Sequence, residues 1–324
     1  MKAVIPVAGE GTRLRPHTHT TPKPLLRVAG KPILGHILDD VASLGIEEVV
    51  LIVGYRGSEI VEYVKSNYHF RLDVVEQKER LGLGHAIYLA RPYVESEPML
   101  ILLGDTIFRG DFQKIVSQEG NVIGVKQVDE PSRFGIVEVE GERIVSLVEK
   151  PDQPRSNLAV VGIYLVRDSQ VLFSALERII KQGQRTRGEF QLTDALNEMI
   201  ARNVDLRAFA IEGWYDCGKP ETLLSANRAL LELDGRKTTL PGNIVFDPVY
   251  IAQNALIEGS IIGPYVSIAE KSIVRRSIIR NSIIGESATV EDVLLESSLV
   301  GDNAIVKGTF KRLNVGDSSE INFT

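Results

Sequence analysis

Only one cysteine, Cys217, occurs in the 324 residues, so no internal disulfide framework exists and a reducing, cytoplasmic setting is expected. No apolar run reaches the ~20 residues that a bilayer-spanning helix needs, which argues against membrane association. Positive charge is also short: 37 Lys and Arg stand against 43 Asp and Glu, a net charge of −6. That excludes a bulk basic surface for nucleic acid, so any phosphate recognition has to come from a local site. The chain opens on one lysine, a short apolar stretch and then glycine and charge, which is unlike a secretory signal. Histidine is scarce, and all five (His17, His19, His36, His69 and His85) precede residue 86.

What is present reads as two domains, 1–234 and 235–324. In the first, apolar strands at 3–7, 48–53, 72–75 and 99–103 alternate with helical patterns at 33–44, 58–66 and 84–91. Strands apolar on both faces and separated by helices imply a parallel sheet covered on both sides. Further strands at 121–126, 135–139 and 160–166, then helices at 169–181 and 191–202, predict an antiparallel extension of this α/β core.

Residues 234–243 read as a linker. Beyond it an aliphatic residue followed by a small one recurs, as in Ile251-Ala252, Ile262-Gly263, Ile268-Ala269, Ile284-Gly285 and Val300-Gly301. Serine-led aliphatic pieces begin between them at Ser260, Ser272, Ser277, Ser282 and Ser298. Steps of five or six residues match a hexapeptide β-helix, with one inward aliphatic per face of each coil. A β-sandwich would need strict alternation and hairpin turns, which are scarce. An irregular coil of a few turns is expected, its exposed end capped by a partner or by the tail 309–324.

Chemistry concentrates in residues 6–26. The first strand runs into Gly9-Glu10-Gly11-Thr12-Arg13, with Lys23 ten residues later. Glycines let backbone N–H groups approach an anion closely, and Arg13 and Lys23 add positive charge beside that cradle. Gln77 offers a donor and an acceptor together, suited to the O4/N3–H edge of a pyrimidine. Asp105 lies just past the carboxyl end of the 99–103 strand, where open parallel sheets bind ligands. A carboxylate there suits Mg²⁺, which takes one or two carboxylates plus phosphate oxygens and water. Its partner carboxylate should lie far off in sequence, and Asp216 in Gly213-Trp214-Tyr215-Asp216-Cys217-Gly218 is the candidate.

The run from Gly9 to Pro16, followed by Pro22-Lys23-Pro24-Leu25, resembles the G-x-G-T-R-L-x-P and P-K-P-L signature of sugar-1-phosphate nucleotidylyltransferases. The resemblance extends over about residues 1–230. It implies a Rossmann-like nucleotidyltransferase core with a mixed sheet, ahead of a left-handed parallel β-helix. It also implies a loop of Ala8, Gly9, Gly11, Thr12 and Arg13 around a nucleoside triphosphate, with Lys23 supporting the α-phosphate. Gln77 followed by Gly82 looks like the base-reading loop of the thymidylyl- and uridylyltransferase branch. Trp214-Tyr215-Asp216-Cys217-Gly218 resembles the W-x-D-x-G element whose Asp joins Asp105 on Mg²⁺. Phe134-Gly135 and Glu149-Lys150-Pro151 look like the sugar-side elements, which gives Gly135, Glu149 and Lys150 to the sugar 1-phosphate. Val160, Tyr164, Arg187 and Glu189 fall in further sugar-side segments, although a buried tyrosine or a capping carboxylate would also explain Tyr164 and Glu189. Ala8 departs from the usual leading glycine, but it is small and both glycines flanking Glu10 remain.

The implied reaction joins dTTP or UTP to a sugar 1-phosphate, glucose 1-phosphate first, with Mg²⁺ as cofactor and pyrophosphate as second product. Such an enzyme of nucleotide-sugar biosynthesis is expected to be a homo-oligomer. A mannose-1-phosphate guanylyltransferase and a non-catalytic regulatory subunit are the alternatives. Acetyl transfer by the β-helix is disfavoured, because no histidine follows residue 85 to serve as a general base.

Overall fold

The computed structural model describes residues 1–235 and 237–308. The tail proposed as a cap, 309–324, lies outside them. The chain forms two compact units. The first comprises Met1–Leu26 and Lys31–Ala226, and the second Arg27–Gly30 with the chain from Asn227 onward. The division therefore falls inside the helix Pro220–Asp234, ahead of the Gly- and Pro-rich stretch where sequence places a linker.

The first unit is built on a nine-stranded sheet. Four parallel strands come first across it: Arg71–Glu76, Glu48–Val53, Lys2–Val7 and Met99–Leu102. Leu158–Val166 then pairs antiparallel with Met99–Leu102 and begins the mixed half. Asn121–Gln127, Leu206–Ala210, Arg143–Glu149 and Gly135–Glu140 follow. Gly135–Glu140 also pairs back onto Leu158–Val166, Val137 facing Leu158. A separate antiparallel pair joins Thr106–Arg109 to Gly213–Asp216.

Burial follows the sequence pattern closely in the middle of the sheet. Val4, Val50, Ile52 and Ile101 are inaccessible and pack with the helices Leu83–Leu89, Ser169–Gln182 and Leu192–Ala201. The helix Ile33–Ser43 buries Ile33, Leu34, Ile37, Leu38 and Val41, the helical spacing of one apolar face. The strand Arg71–Glu76 differs from expectation. It lies at the sheet edge, half its residues are exposed and none is fully buried, in keeping with the charges Arg71, Asp73 and Glu76 along it. All four parallel strands point their carboxyl ends the same way, so the segments after Val7, Val53, Glu76 and Leu102 gather along one edge.

The second unit is a left-handed parallel β-helix: three parallel sheets of four short strands each. Ile244 faces Ile261, Ile261 faces Ile278 and Ile278 faces Leu294. Each coil is thus slightly shorter than three hexapeptides, in keeping with steps of five or six. Ile262, Ile268, Val274, Ile279, Ile284 and Val290 fill the interior. The corners are turned by left-handed residues that are mostly not glycine, among them Lys271, Arg276, Asn281, Ser287, Asp292 and Asn303. The serines stack along corners: Ser277 N–H donates to Ser260 Oγ at 3.1 Å, and Val293 N–H to Ser277 Oγ at 3.3 Å. Among the described residues, no helix is long and apolar enough to cross a membrane.

Candidate active site

The loop after Lys2–Val7 turns at Gly11, whose φ of +66° leads into the short 3-10 helix Thr12–Leu14. A side chain at Gly11 would be strained in that conformation and would meet Lys23 Cβ and Thr18 Cγ2 at 2.9 Å. Thr18 Oγ1 donates to Gly11 O at 2.9 Å and fixes the turn. Lys23, itself buried, starts the next turn and places Nζ 2.6 Å from Asp105 Oδ2. Burial pushes the Asp105 carboxyl upward, but the Lys23 charge and hydrogen bond, aided by Thr106 and Arg13, outweigh it. The group is held below the usual carboxylate range. Its side chain still reaches the cleft, with 43% of its surface open.

Two cavities meet at this point. The larger, about 540 Å³, is lined by Ala8, Gly9, Gly11, Thr12, Arg13, Lys23, Gln77, Arg80, Gly82, Asp105 and Glu189. The smaller, about 280 Å³, is lined by Arg133, Gly135, Glu149, Lys150, Val160, Tyr164, Gln191, Thr193, Trp214 and Asp216. Arg13, Leu83, Leu103 and Asp105 line both, so the two chambers share a wall of one cation, one carboxylate and two leucines.

In the larger chamber Gln77 is buried, and its Nε2 donates to Gly82 O at 3.1 Å. The same nitrogen lies 3.2 Å from His85 Nδ1. Burial lowers the His85 pKa, so the ring is neutral and Nδ1 can accept. With its NH₂ held on two partners, the Gln77 amide has a fixed orientation and its Oε1 remains to read a ligand. Gly82 has a φ of +109°, and a Cβ there would lie 2.6 Å from Phe190 O. The backbone of Phe190 is stitched to this loop, since Gly84 N–H donates to Phe190 O and Phe190 N–H to Leu81 O, both at 2.8 Å.

That stitching also places Glu189. Glu189, assigned by resemblance to the sugar side, lines the larger chamber, because its neighbour Phe190 is tied to the 81–84 segment. Arg187 lines neither chamber. Its Nη2 donates to Lys150 O at 2.6 Å and to Asp152 Oδ1 at 2.8 Å, so it braces the Lys150 backbone instead.

In the smaller chamber Glu149 pairs across the sheet with Gly135. Its Oε2 accepts from Thr193 Oγ1 at 3.3 Å, and Lys150 Nζ lies 3.5 Å from its Oε1. A Cβ on Gly135 would come within 3.1 Å of Glu149 Oε2. Tyr164 is buried, and burial first, then the Glu149 charge, push its hydroxyl pKa up, so it stays a neutral phenol. Phe134 and Trp214 pack edge to face across this chamber, 4.9 Å between centroids.

Asp216 ends the strand Gly213–Asp216, opposite Thr106, which directly follows Asp105. A Cβ on Gly218 would meet Asp216 Oδ1 at 2.8 Å and Arg13 Nη2 at 3.0 Å, so a side chain there would displace the ends of the two groups that converge on it. Asp105 and Asp216 both line the smaller chamber, and among the described residues no group of three His, Cys, Asp or Glu forms a cage. Two hard carboxylates beside an open anion cradle fit Mg²⁺, which completes its shell with water and phosphate oxygens. Sequence reasoning passed over Arg80, Arg133, Thr193 and Trp214. Arg80, Arg133 and Trp214 fall in or beside a motif, but only the fold shows that all four face the chambers.

The nucleotidyl transferase family matches residues 2–232. The chain belongs to this family. It is 34% identical to the low-salt glycan biosynthesis nucleotidyltransferase Agl11 of Haloferax volcanii, over 94% of this chain and 89% of that protein. It is 33% identical to a glucose-1-phosphate thymidylyltransferase of Streptomyces antibioticus, over 99% of both chains. The bifunctional protein GlmU of Methanococcus maripaludis is 37% identical over 82% of this chain, which spans 62% of its length. A solved UDP-glucose pyrophosphorylase from Acinetobacter baumanii superposes with a TM-score of 0.62 at 25% identity, over 72% of this chain and 94% of that one. Of these names only the thymidylyltransferase and the UDP-glucose pyrophosphorylase state a nucleotide and a sugar, and the nucleotides differ.

Proposed function

We propose that this chain joins a pyrimidine nucleoside triphosphate, dTTP or UTP, to glucose 1-phosphate, forming the nucleoside diphosphate sugar and pyrophosphate. The observation that carries the reading is the pair of chambers meeting at Arg13 and Asp105. One chamber has a glycine-rich loop with Arg13 and Lys23 and is also lined by the buried Gln77; the other has a Lys150–Glu149 pair and polar groups suited to sugar hydroxyls.

The reaction needs no protein nucleophile. A phosphate oxygen of the sugar 1-phosphate attacks the α-phosphorus, and the bond to the β-phosphate oxygen breaks with pyrophosphate departing. Catalysis then rests on positioning and on neutralising charge. Lys150 holds the attacking phosphate, Glu149 and Thr193 orient the sugar, and Arg13 sits where the two anions meet. Lys23, fixed on Asp105, faces the phosphate under attack. Asp105 and Asp216 would hold Mg²⁺, which when bound lowers repulsion between the two substrates and stabilises charge on the phosphates. Gln77 Oε1 accepts the N3–H of uracil or thymine, a donor that both bases present.

All five charged groups, Arg13, Lys23, Asp105, Lys150 and Asp216, line the chambers, which favours an active enzyme over a regulatory subunit. A pyrophosphate-release assay with dTTP, UTP and GTP, each paired with glucose, N-acetylglucosamine and mannose 1-phosphates, tests the proposal. Highest kcat/KM for dTTP or UTP with glucose 1-phosphate is expected. Preference for GTP, or release independent of any sugar phosphate, would contradict it.

A further inference from the structure

Glu10 is an anomaly in this site. It stands between Gly9 and Gly11, the residues that line the anion chamber, so it puts a carboxylate where a highly charged triphosphate must come. A bare carboxylate there would repel the ligand. It is not bare. Glu10 Oε1 lies 2.7 Å from Arg80 Nη2, and Oε2 lies 3.4 Å from Arg15 Nη2. The carboxylate is largely covered at 22% exposure, whereas Arg80 is 59% exposed and also lines the chamber.

We propose that Glu10 is an internal stand-in for the departing pyrophosphate, sharing Arg80 with it. This reading rests on the proposed nucleotidyl transfer and deepens it. In the empty site the guanidinium of Arg80 is held by Glu10. An entering triphosphate carries more charge and more acceptor oxygens, and it draws the long, exposed Arg80 side chain away from Glu10 onto its outer phosphates. After transfer, Glu10 competes with pyrophosphate for the same guanidinium and so weakens the grip on this product. No bond forms or breaks in the exchange. Arg80 is a binding residue that sequence motifs do not mark, and Glu10 sets how tightly it holds.

Isothermal titration of the full chain with magnesium pyrophosphate tests this in a double-mutant cycle. Arg80→Ala should weaken binding about tenfold, the loss of a charge-assisted hydrogen bond. Glu10→Gln should tighten binding about three- to tenfold when Arg80 is present, and less than about twofold in the Arg80→Ala background, because the competition has gone. Simple repulsion by Glu10 would instead give the same factor in both backgrounds. That result, or no change on Glu10→Gln, overturns the proposal while leaving nucleotidyl transfer intact. A wild-type chain that binds no magnesium pyrophosphate would overturn both.

Discussion

Lys23 Nζ and Asp105 Oδ2 lie 2.6 Å apart although 82 residues separate them in the chain. The pair ties the anion loop of the first strand to the carboxyl end of its neighbour Met99–Leu102. It gives Asp105 its ionised state and gives Lys23 a fixed position facing the cleft. Lys23→Ala should therefore lower kcat about 10²–10³-fold, the scale of removing a preorganised charge from a transition state. Steady-state kinetics with near-unchanged far-UV circular dichroism would check it. Wild-type turnover in this variant would contradict the assigned role.

Lys150 is half exposed, so its removal should cost little stability. Lys150→Ala is expected to raise KM for the sugar 1-phosphate and to lower kcat/KM about 10²-fold or more, while the affinity for nucleoside triphosphate stays within about twofold. Separate titrations of the two substrates distinguish this from a general loss of the site.

Gly218→Ala tests whether Arg13 and Asp216 must converge. The added methyl would press on Asp216 Oδ1 and Arg13 Nη2. Turnover should fall at least about tenfold, with the thermal midpoint nearly unchanged. Retained activity would show that the carboxylate moves aside freely.

Gln77→Ala leaves Gly82 O and His85 without their donor. The expected result is a KM for dTTP or UTP raised about tenfold, with weaker discrimination against GTP. Competition assays between nucleotides read this directly.

The Asp40 carboxyl is raised to about 6, by burial first and by Asp39 next, with Arg109 and Lys31 opposing. The folded chain therefore binds this proton more tightly than the unfolded chain. Stability from this group is full below the ordinary value of 3.8 and is lost as pH rises through about 6. Asp40→Asn should flatten the pH dependence of unfolding across that window and stabilise the first unit by about 1–2 kcal/mol at pH 7. Urea unfolding at pH 5 and pH 7.5 measures it; an unchanged difference between the two pH values would contradict it.

The anion loop was legible because its chemistry constrains residue type. Gly11 cannot carry a side chain, and Lys23 has to reach Asp105 from a set distance along the chain. The β-helix was legible for a similar reason, since Ile262, Ile268, Val274 and Ile279 must each point inward at every turn of a narrow coil. Less visible were the short or half-exposed strands Thr106–Arg109, Arg143–Glu149, Leu206–Ala210 and Gly213–Asp216, whose mixed polarity matches no clean period. The sugar side draws Thr193, Trp214 and Arg133 from separate elements, and nothing local to any of them announces a shared chamber. Where Glu189 and Arg187 face was not legible, because it depends on backbone bonds from Phe190 to Leu81 and Gly84 and on the brace to Lys150, which only the fold brings together.

The most direct test of the central claim follows both ends of the triphosphate at once. Purified chain with Mg²⁺ and glucose 1-phosphate would be given dTTP or UTP labelled at either the α- or the γ-phosphorus. The account predicts α-label in a nucleoside diphosphate sugar and γ-label in pyrophosphate, in equal amounts and only when the sugar phosphate is present. Release of γ-label as orthophosphate, or of either label without sugar phosphate, would contradict it.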